Sequence, residues 1–342
     1  MSFTVLGKIP TTEEILSLYP MTQELALLKE RRDAAIRDVL TGQSDRFLLV
    51  IGPCSADNED AVCTYTERLG KMQEKVKDRL ILIPRIYTNK PRTTGAGYKG
   101  ILHQPDPEKE PNLAGGLVAL RHMHIRSMRE SGLTAADEML YPENHTYLAD
   151  ILSYVAVGAR SVENQQHRLT ASGVDQPVGM KNPTSGDFRV MLNAIEAAQQ
   201  THIFAYQGHA VKTSGNPLSH AVLRGAVNKQ GQCQSNYHYE DLQLLFQMYQ
   251  ERNLQNPVCL VDTNHANSNK QYAEQPRIAM EVLHNRRLSS DIRQLVKGLM
   301  IESYLVEGSQ PVGGHIFGCS ITDACLGWAE TRDLILRIAE EV

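Results

Sequence analysis

A chain of 342 residues, 42% hydrophobic and 22% charged, carries enough apolar surface for a substantial core and too much for a disordered segment. Its formal net charge of -4, with Lys and Arg dispersed along it, argues against a general nucleic-acid binder and confines any anion binding to a local cluster. There is no run of about 18 apolar residues and no basic and apolar leader in MSFTVLGKIPTTEEIL, and the six cysteines form no CxxC pair, so no membrane span and reduced thiols in the cytoplasm are expected.

Taken in order, residues 11 to 40 read as helical: Thr11-Thr12-Glu13-Glu14 is a cap signal, and ELALLKERRDAAIRDVL has apolar residues at helical spacing. We treat 1–45 as an N-terminal arm suited to covering the domain or contacting another subunit, and 46–342 as the main domain. From Phe47 an apolar strand followed by a helical stretch repeats. The strands are Phe47–Ile51, Leu80–Ile83, Ala135–Leu140, Tyr154–Gly158, Val178–Met180, His202–Tyr206, Val258–Val261 and Leu295–Ile301. DAVCTYTERLGKMQEKV, GLVALRHMHIRSMRES, FRVMLNAIEAAQQ, YEDLQLLFQMYQERN and QPRIAMEVLHNRR have the period of crossover helices. Eight β and α units in alternation predict a (β/α)8 TIM barrel with its site at the C-terminal face, an open doubly wound sheet being the alternative. Lys90–Gln104 reads as a binding loop, and Val211–Tyr239 as an inserted, hairpin-like excursion. After His265, Ala-Asn-Ser-Asn-Lys reads as the first turn of a helix.

The strand ends carry two classes of chemistry. Cys54, His265, Glu302 and Asp323 offer a thiolate, an imidazole and two carboxylates, a donor set suited to a divalent transition metal (Mn, Fe, Co or Zn) rather than Mg or Ca. Arg85, Lys90, Arg92, Arg160, Lys181 and Arg224 form the second class. Some can pair with Glu138, Asp262 or Glu302, but the bases outnumber the acids, so a substrate bearing phosphate and carboxylate groups is expected.

In order, GPCSADN, KPRTT with GYKG, GARSVENQQHR, PVGMKN, HAVLRG, DTNHANSNKQ, GLMIESYLVEG and GCSITDACLGW resemble the signature segments of the type I alpha 3-deoxy-D-arabino-heptulosonate 7-phosphate (DAHP) synthases. The resemblance implies a cytoplasmic, metal-dependent homodimer or homotetramer. Such enzymes condense phosphoenolpyruvate with erythrose 4-phosphate, the entry step of aromatic amino-acid biosynthesis. It further implies Cys54, His265, Glu302 and Asp323 as metal ligands, and Arg85, Glu138, Arg160, Lys181 and Arg224 around phosphoenolpyruvate. Lys90, Pro91, Arg92 and Thr93 are implied for the aldose phosphate, with Lys90 as proton donor and Glu138 or Asp262 positioning a water.

Cys319 stands where Lys is usual, Thr263-Asn264 and Pro183 depart from the pattern, and so does the Leu140–Thr146 segment, which in regulated relatives contributes to an amino-acid effector pocket. Bulky Tyr141 and Pro142 there, with an added charge at Glu143, are expected to fill or reshape that pocket and leave feedback inhibition by phenylalanine, tyrosine or tryptophan weak or absent. A paralogue using another aldose phosphate, or a non-catalytic binding barrel, are the alternatives to the DAHP synthase reading.

Overall fold

The computed structural model describes residues 2–342. The arm contributes α1 (Thr12–Leu18), opened by a capping box in which Thr11 and Glu14 satisfy each other's backbone donors, and α2 (Gln23–Leu40). Next come β1 (Phe47–Gly52), α3 (Glu59–Val76), β2 (Leu80–Pro84), α4 (Leu113–Ser131), β3 (Ala136–Glu138), a 3-10 helix (Pro142–Tyr147) and β4 (Tyr154–Val157). The chain continues through α5 (Gln165–Ala171), β5 (Val178–Lys181) and α6 (Phe188–Gln199) to a hairpin of β6 (Ile203–Tyr206) and β7 (His209–Lys212). Then follow β8 (His220–Leu223), a small ribbon of β9 (Ala226–Val227) and β10 (Cys233–Gln234), α7 (Tyr239–Glu251), β11 (Cys259–Asp262), α8 (Gln275–Leu288), α9 (Ser290–Leu295), β12 (Val296–Glu302) and α10 (Trp328–Glu341).

FLLVIG and LILIP are buried on both faces, and such runs belong to parallel strands covered on each side. Eight strands, in the order β2-β1-β12-β11-β8-β5-β4-β3, pair in parallel, and a bridge from Arg85 to Ala136 joins the two ends into a barrel. Side-chain alternation divides the core in two. One set, including Leu49, Ile51, Leu82, Val155, Val261 and Ile301, packs against the surrounding helices. The other, including Leu48, Val50, Ile81, Ile83, Ala156, Leu260 and Met300, fills the interior, with Ile36, Val39 and Leu40 of α2 packed onto it. The arm therefore caps the N-terminal end of the barrel, and the C-terminal end stays open to the loops.

Two sequence expectations are corrected. The sixth barrel strand is His220–Leu223, not His202–Tyr206. HAVL is buried throughout and pairs with Lys181 on one side and Cys259 on the other, whereas IFAY alternates between exposed and half-buried and pairs only with its own hairpin partner. The segment after His265 is also not a helix. His265, Asn269 and Lys270 take left-handed backbone conformations, at φ 52°, 53° and 58°, which hold off any helix until a 3-10 turn at Tyr272–Glu274 leads into α8.

Inside the barrel the Tyr154 hydroxyl lies 2.9 Å from His220 Nε2, and burial lowers the His220 pKa to about 4. Gly179 leaves the space for this pair, because a Cβ there would meet Tyr154 Oη at 2.1 Å. Gly179→Ala is expected to destabilise the fold by about 3 kcal/mol, combining overpacking with a strained buried hydrogen bond. Urea unfolding of the variant beside the parent checks this.

Candidate active site

The parallel registers bring the functional strand ends to one level. Gly52 of β1 is opposite Glu302 of β12, which places Cys54 beside Glu302, and Asp262 of β11 is opposite Met300. Lys181 of β5 is opposite Val222, two residues before Arg224. Loop contacts refine this arrangement. Asn182 accepts from Arg224 N at 2.9 Å and donates to Gly225 O at 2.9 Å. Ala266 N donates to Arg224 O at 3.2 Å, and a Cβ on Gly225 would come within 2.6 Å of Asn267 N. Glycine is needed at that position, where φ is 76°, for the Arg224 and His265 loops to touch.

At the floor, Cys54, Glu302 and Asp323 present ligand atoms within 4.8 Å of one another. Cys54 Sγ is 3.4 Å from Asp323 Oδ2, and the Thr322 hydroxyl donates to Ser55 at 3.0 Å, tying the two loops together. His265 stands beside this trio, with Nε2 at 3.8 Å from Glu302 Oε1 and Nδ1 at 2.8 Å from Asp262 Oδ2. A carboxylate behind the far ring nitrogen is the arrangement that orients a ligating histidine. The thiol and two carboxylates converge on one point, and with the imidazole beside them they make a donor set that fits a borderline-soft divalent ion.

The same region is dense in cations. The Arg85 guanidinium binds Glu302 and stacks 4.1 Å over the Tyr87 ring. Burial opposes the ionised form of Glu302, but Arg85, His265 and Lys90 outweigh it and hold the carboxyl well below its ordinary value. Asp262 is depressed in the same way, against burial, by His265 and Lys181, the latter 3.2 Å away. Lys90 Nζ lies 2.8 Å from Cys54 Sγ and 2.6 Å from Cys54 O. Burial pulls Lys90 down, but the Cys54 sulfur outweighs it and the net shift is upward. Burial pushes the Cys54 thiol up, and Glu302 adds to that.

Above this floor opens a cavity of about 170 Å³ lined by Arg85, Lys90, Pro91, Arg92, Glu138, Arg160, Lys181, Arg224, His265 and Asp323, among others. Arg224 Nη1 and Glu138 Oε1 are among the buried atoms here without a hydrogen-bond partner, with Arg85 Nε, Asp262 Oδ2 and His265 Nδ1. Gly158 makes the room for Glu138, since a Cβ there would lie 2.6 Å from Oε1. Burial lowers the Arg224 pKa, the state of a guanidinium that lacks a close counter-charge.

Most residues expected from the sequence thus gather at one mouth. Cys54, Asp262 and Glu302 sit beneath the cavity rather than in its wall. Thr93 does not join it and is exposed on the loop. Ser161, Thr184 and Lys270 also line the cavity and were not anticipated; their places just after strand-end residues were the available signal.

Tyr141 turns its ring toward His103, 5.4 Å between centroids, and the Pro142 carbonyl accepts from Tyr206 at 2.9 Å. A cavity of about 420 Å³, lined by His145, Thr146, Ala149, Phe204 and Tyr206 among others, stays open beside the 3-10 helix. Bulk at 141 and 142 does not fill it.

Comparison with known proteins decides the family, since residues 19–336 match the DAHP synthetase I family. The chain belongs to that family. It is 37% identical over 336 residues to a phospho-2-dehydro-3-deoxyheptonate aldolase of Haemophilus influenzae, covering 96% of this chain and 90% of that one. To the Phe-sensitive enzyme of Escherichia coli K12 it is 36% identical over 336 residues, covering 96% and 93%. A solved phospho-2-dehydro-3-deoxyheptonate aldolase from Francisella tularensis superposes with a TM-score of 0.92 at 28% identity, covering 100% of this chain and 98% of that one. The family and these relatives are DAHP synthases, the enzymes of the first step of aromatic amino-acid biosynthesis.

The charge pairing separates structural cations from cations left for ligands. Arg85→Leu leaves Glu302 short of its main partner and is expected to lower unfolding stability by about 3 kcal/mol. Arg160→Ala, at an exposed position, is expected to change it by less than about 0.5 kcal/mol. Chemical denaturation of both variants without substrates measures the contrast.

Proposed function

We propose that the cavity at the C-terminal mouth holds both substrates of the condensation, phosphoenolpyruvate against Arg85, Arg160, Lys181 and Arg224, and erythrose 4-phosphate along Lys90, Pro91 and Arg92, with Thr93 on the exposed loop beside them. The observation that carries this reading is the excess of positive charge in one small cavity, with Arg224 Nη1 buried and unpartnered. A phosphate and a carboxylate supply the missing counter-charge in the bidentate geometry that guanidinium groups favour. The second substrate brings another phosphate, which suits Arg92 at the loop side of the same mouth.

In the reaction C3 of the enol phosphate attacks C1 of the tetrose, and the carbonyl oxygen becomes a hydroxyl. Lys90, kept as an ammonium beside Cys54, is the proton source for that oxygen. Bond formation leaves cationic character at C2, which water captures. Glu138, with one free buried oxygen in the cavity wall, orients the water and receives its proton, after which phosphate leaves by C–O cleavage. Asp262 is engaged with Lys181 and His265, so its part is to hold those two groups in place. Cys54, His265, Glu302 and Asp323 are the residues that hold the metal, one of Mn, Fe, Co or Zn, and when bound it supplies Lewis-acid polarisation of the aldehyde oxygen.

Six unpaired cysteines suit a reducing cytoplasm, and no helix among the described residues is long and apolar enough to cross a membrane. The arm exposes Phe3, Val5 and Leu6, and this apolar surface is the basis for assigning it a homo-oligomer contact.

Two expected outcomes test this function. Supplied with phosphoenolpyruvate, the metal-loaded enzyme is expected to turn over erythrose 4-phosphate faster than other aldose phosphates, releasing one phosphate per product; chromatography and phosphate release across a panel of aldose phosphates check it. A preference for a different aldose would move the chain to another branch of the chemistry. Exhaustive chelation is expected to abolish turnover, with Mn restoring it better than Mg, and full activity after complete metal removal would refute the metal assignment.

A further inference from the structure

Glu138 and Lys90 come from different strands, and the main chain alone does not lock them together. The last backbone ladder bond between these strands runs from Ile86 N to Ala136 O at 2.9 Å. Beyond it the backbone of residues 87 to 90 leaves the barrel toward the loop, and a side chain takes over the pairing. Asp137 is 3% exposed and immediately precedes Glu138. Alternation along β3 sends its side chain to the opposite face from Glu138. Its Oδ1 accepts from Thr88 N at 2.9 Å and from Glu138 N at 2.7 Å, while its Oδ2 accepts from the Thr88 hydroxyl. His124 of α4 stands behind the carboxylate, with Nε2 at 3.6 Å from Oδ2.

One buried carboxylate thus grips the backbone amide of Glu138 and the amide and hydroxyl of the residue two before Lys90. Thr88 passes the constraint on. Its hydroxyl accepts from Asn89 Nδ2 at 3.2 Å, its carbonyl accepts from Leu102 N at 3.3 Å, and Lys90 N then donates to Lys99 O at 3.0 Å. Burial of a carboxylate is unfavourable unless its lone pairs are used, and three donors within two short segments use them here. No substrate-sized cavity reaches the carboxylate from the catalytic side, since the residues lining the mouth include Glu138 but not Asp137. Asp137 therefore acts through its neighbours.

We propose that Asp137, together with the Thr88 hydroxyl, is the positioning device that sets Lys90 and Glu138 at a fixed separation across the two strand ends. The proposal rests on the assignment of Lys90 and Glu138 to the reaction. Of the phosphoenolpyruvate cations, Arg160, Lys181 and Arg224 stand on other strands, and Arg85 is held by Glu302 ahead of the segment that Asp137 grips, so a loosened Asp137 grip should impair chemistry more than binding of that substrate.

The test is steady-state kinetics of the metal-loaded enzyme as Thr88→Val, Asp137→Asn and Thr88→Ser variants, each with a melting curve. Thr88→Val and Asp137→Asn are expected to lower kcat by roughly tenfold or more, as small misplacements of catalytic groups do, with KM for phosphoenolpyruvate changed less than about threefold. Thr88→Ser, which keeps the hydroxyl, is expected to stay within about twofold of the parent. If Asp137→Asn does not fold, Thr88→Val alone decides, because it keeps the shape and the backbone bond. A Thr88→Val enzyme with a kcat within about twofold of the parent overturns the proposal, and so does a loss of kcat that Thr88→Ser shares equally. A parent inactive with every aldose phosphate would overturn the assigned reaction and this proposal with it, whereas an active parent with unaffected variants overturns this proposal alone.

Discussion

Uncompensated positive charge at the open end of a closed barrel is the constraint on which the rest of this structure depends. Two buried ion pairs, Arg85 with Glu302 and Lys181 with Asp262, engage two of the carboxylates at the floor. Arg224, Arg160 and Arg92 are then left around one small cavity without matching acids, and Arg224 keeps a buried donor unused. Taking the Arg224 cation out of water without a partner is unfavourable, and the arrangement makes sense when an anion arrives to complete it. Binding and chemistry are joined by this arrangement. The same Arg85 that faces the substrate side of the cavity also fixes Glu302, and the same His265 that contacts Glu302 is held from behind by Asp262.

The scaffold contributes precision rather than chemistry. Parallel registers put Gly52 opposite Glu302 and carry Cys54 to the carboxylate, while the closing bridge between Arg85 and Ala136 brings the β2 end to the β3 end where Glu138 sits. Helix α2 seals the opposite end with Ile36, Val39 and Leu40, so the barrel interior is a packed core and only the loop end is free to bind. Asp137 extends the same logic past the last ladder bond, with a side chain substituting for strand pairing where the chain must leave the barrel to form the loop.

Much of this was legible in the sequence, for identifiable reasons. FLLVIG, LILIP and CLVD are unbroken apolar runs, and each ends at a residue that the barrel delivers to its mouth. The sixth strand was missed because HAVL is short and begins with a histidine, which reads as a boundary; in the fold His220 is inside the barrel, neutral and bonded to Tyr154. IFAY looked like the better strand because β-propensity does not distinguish a barrel strand from a surface hairpin. The cations that line the mouth were readable because most of them fall just past strand ends. Their pairings were not, since which arginine meets which carboxylate depends on register and rotamer. Thr93 illustrates the limit: its motif is intact, yet its side chain is exposed on the loop. Asp137 was invisible for a related reason, because its partners lie in a segment 49 residues earlier.

The central claim, that the unpaired cations at the barrel mouth are the phosphoenolpyruvate site, is tested most directly by a crystal structure of the enzyme soaked with phosphoenolpyruvate. The account predicts its phosphate and carboxylate in the cavity, with the phosphate in contact with Arg160, Lys181 and Arg224 and the unused Arg224 donor satisfied. Phosphoenolpyruvate bound elsewhere on the protein, with Arg224 Nη1 still unpartnered, would contradict it.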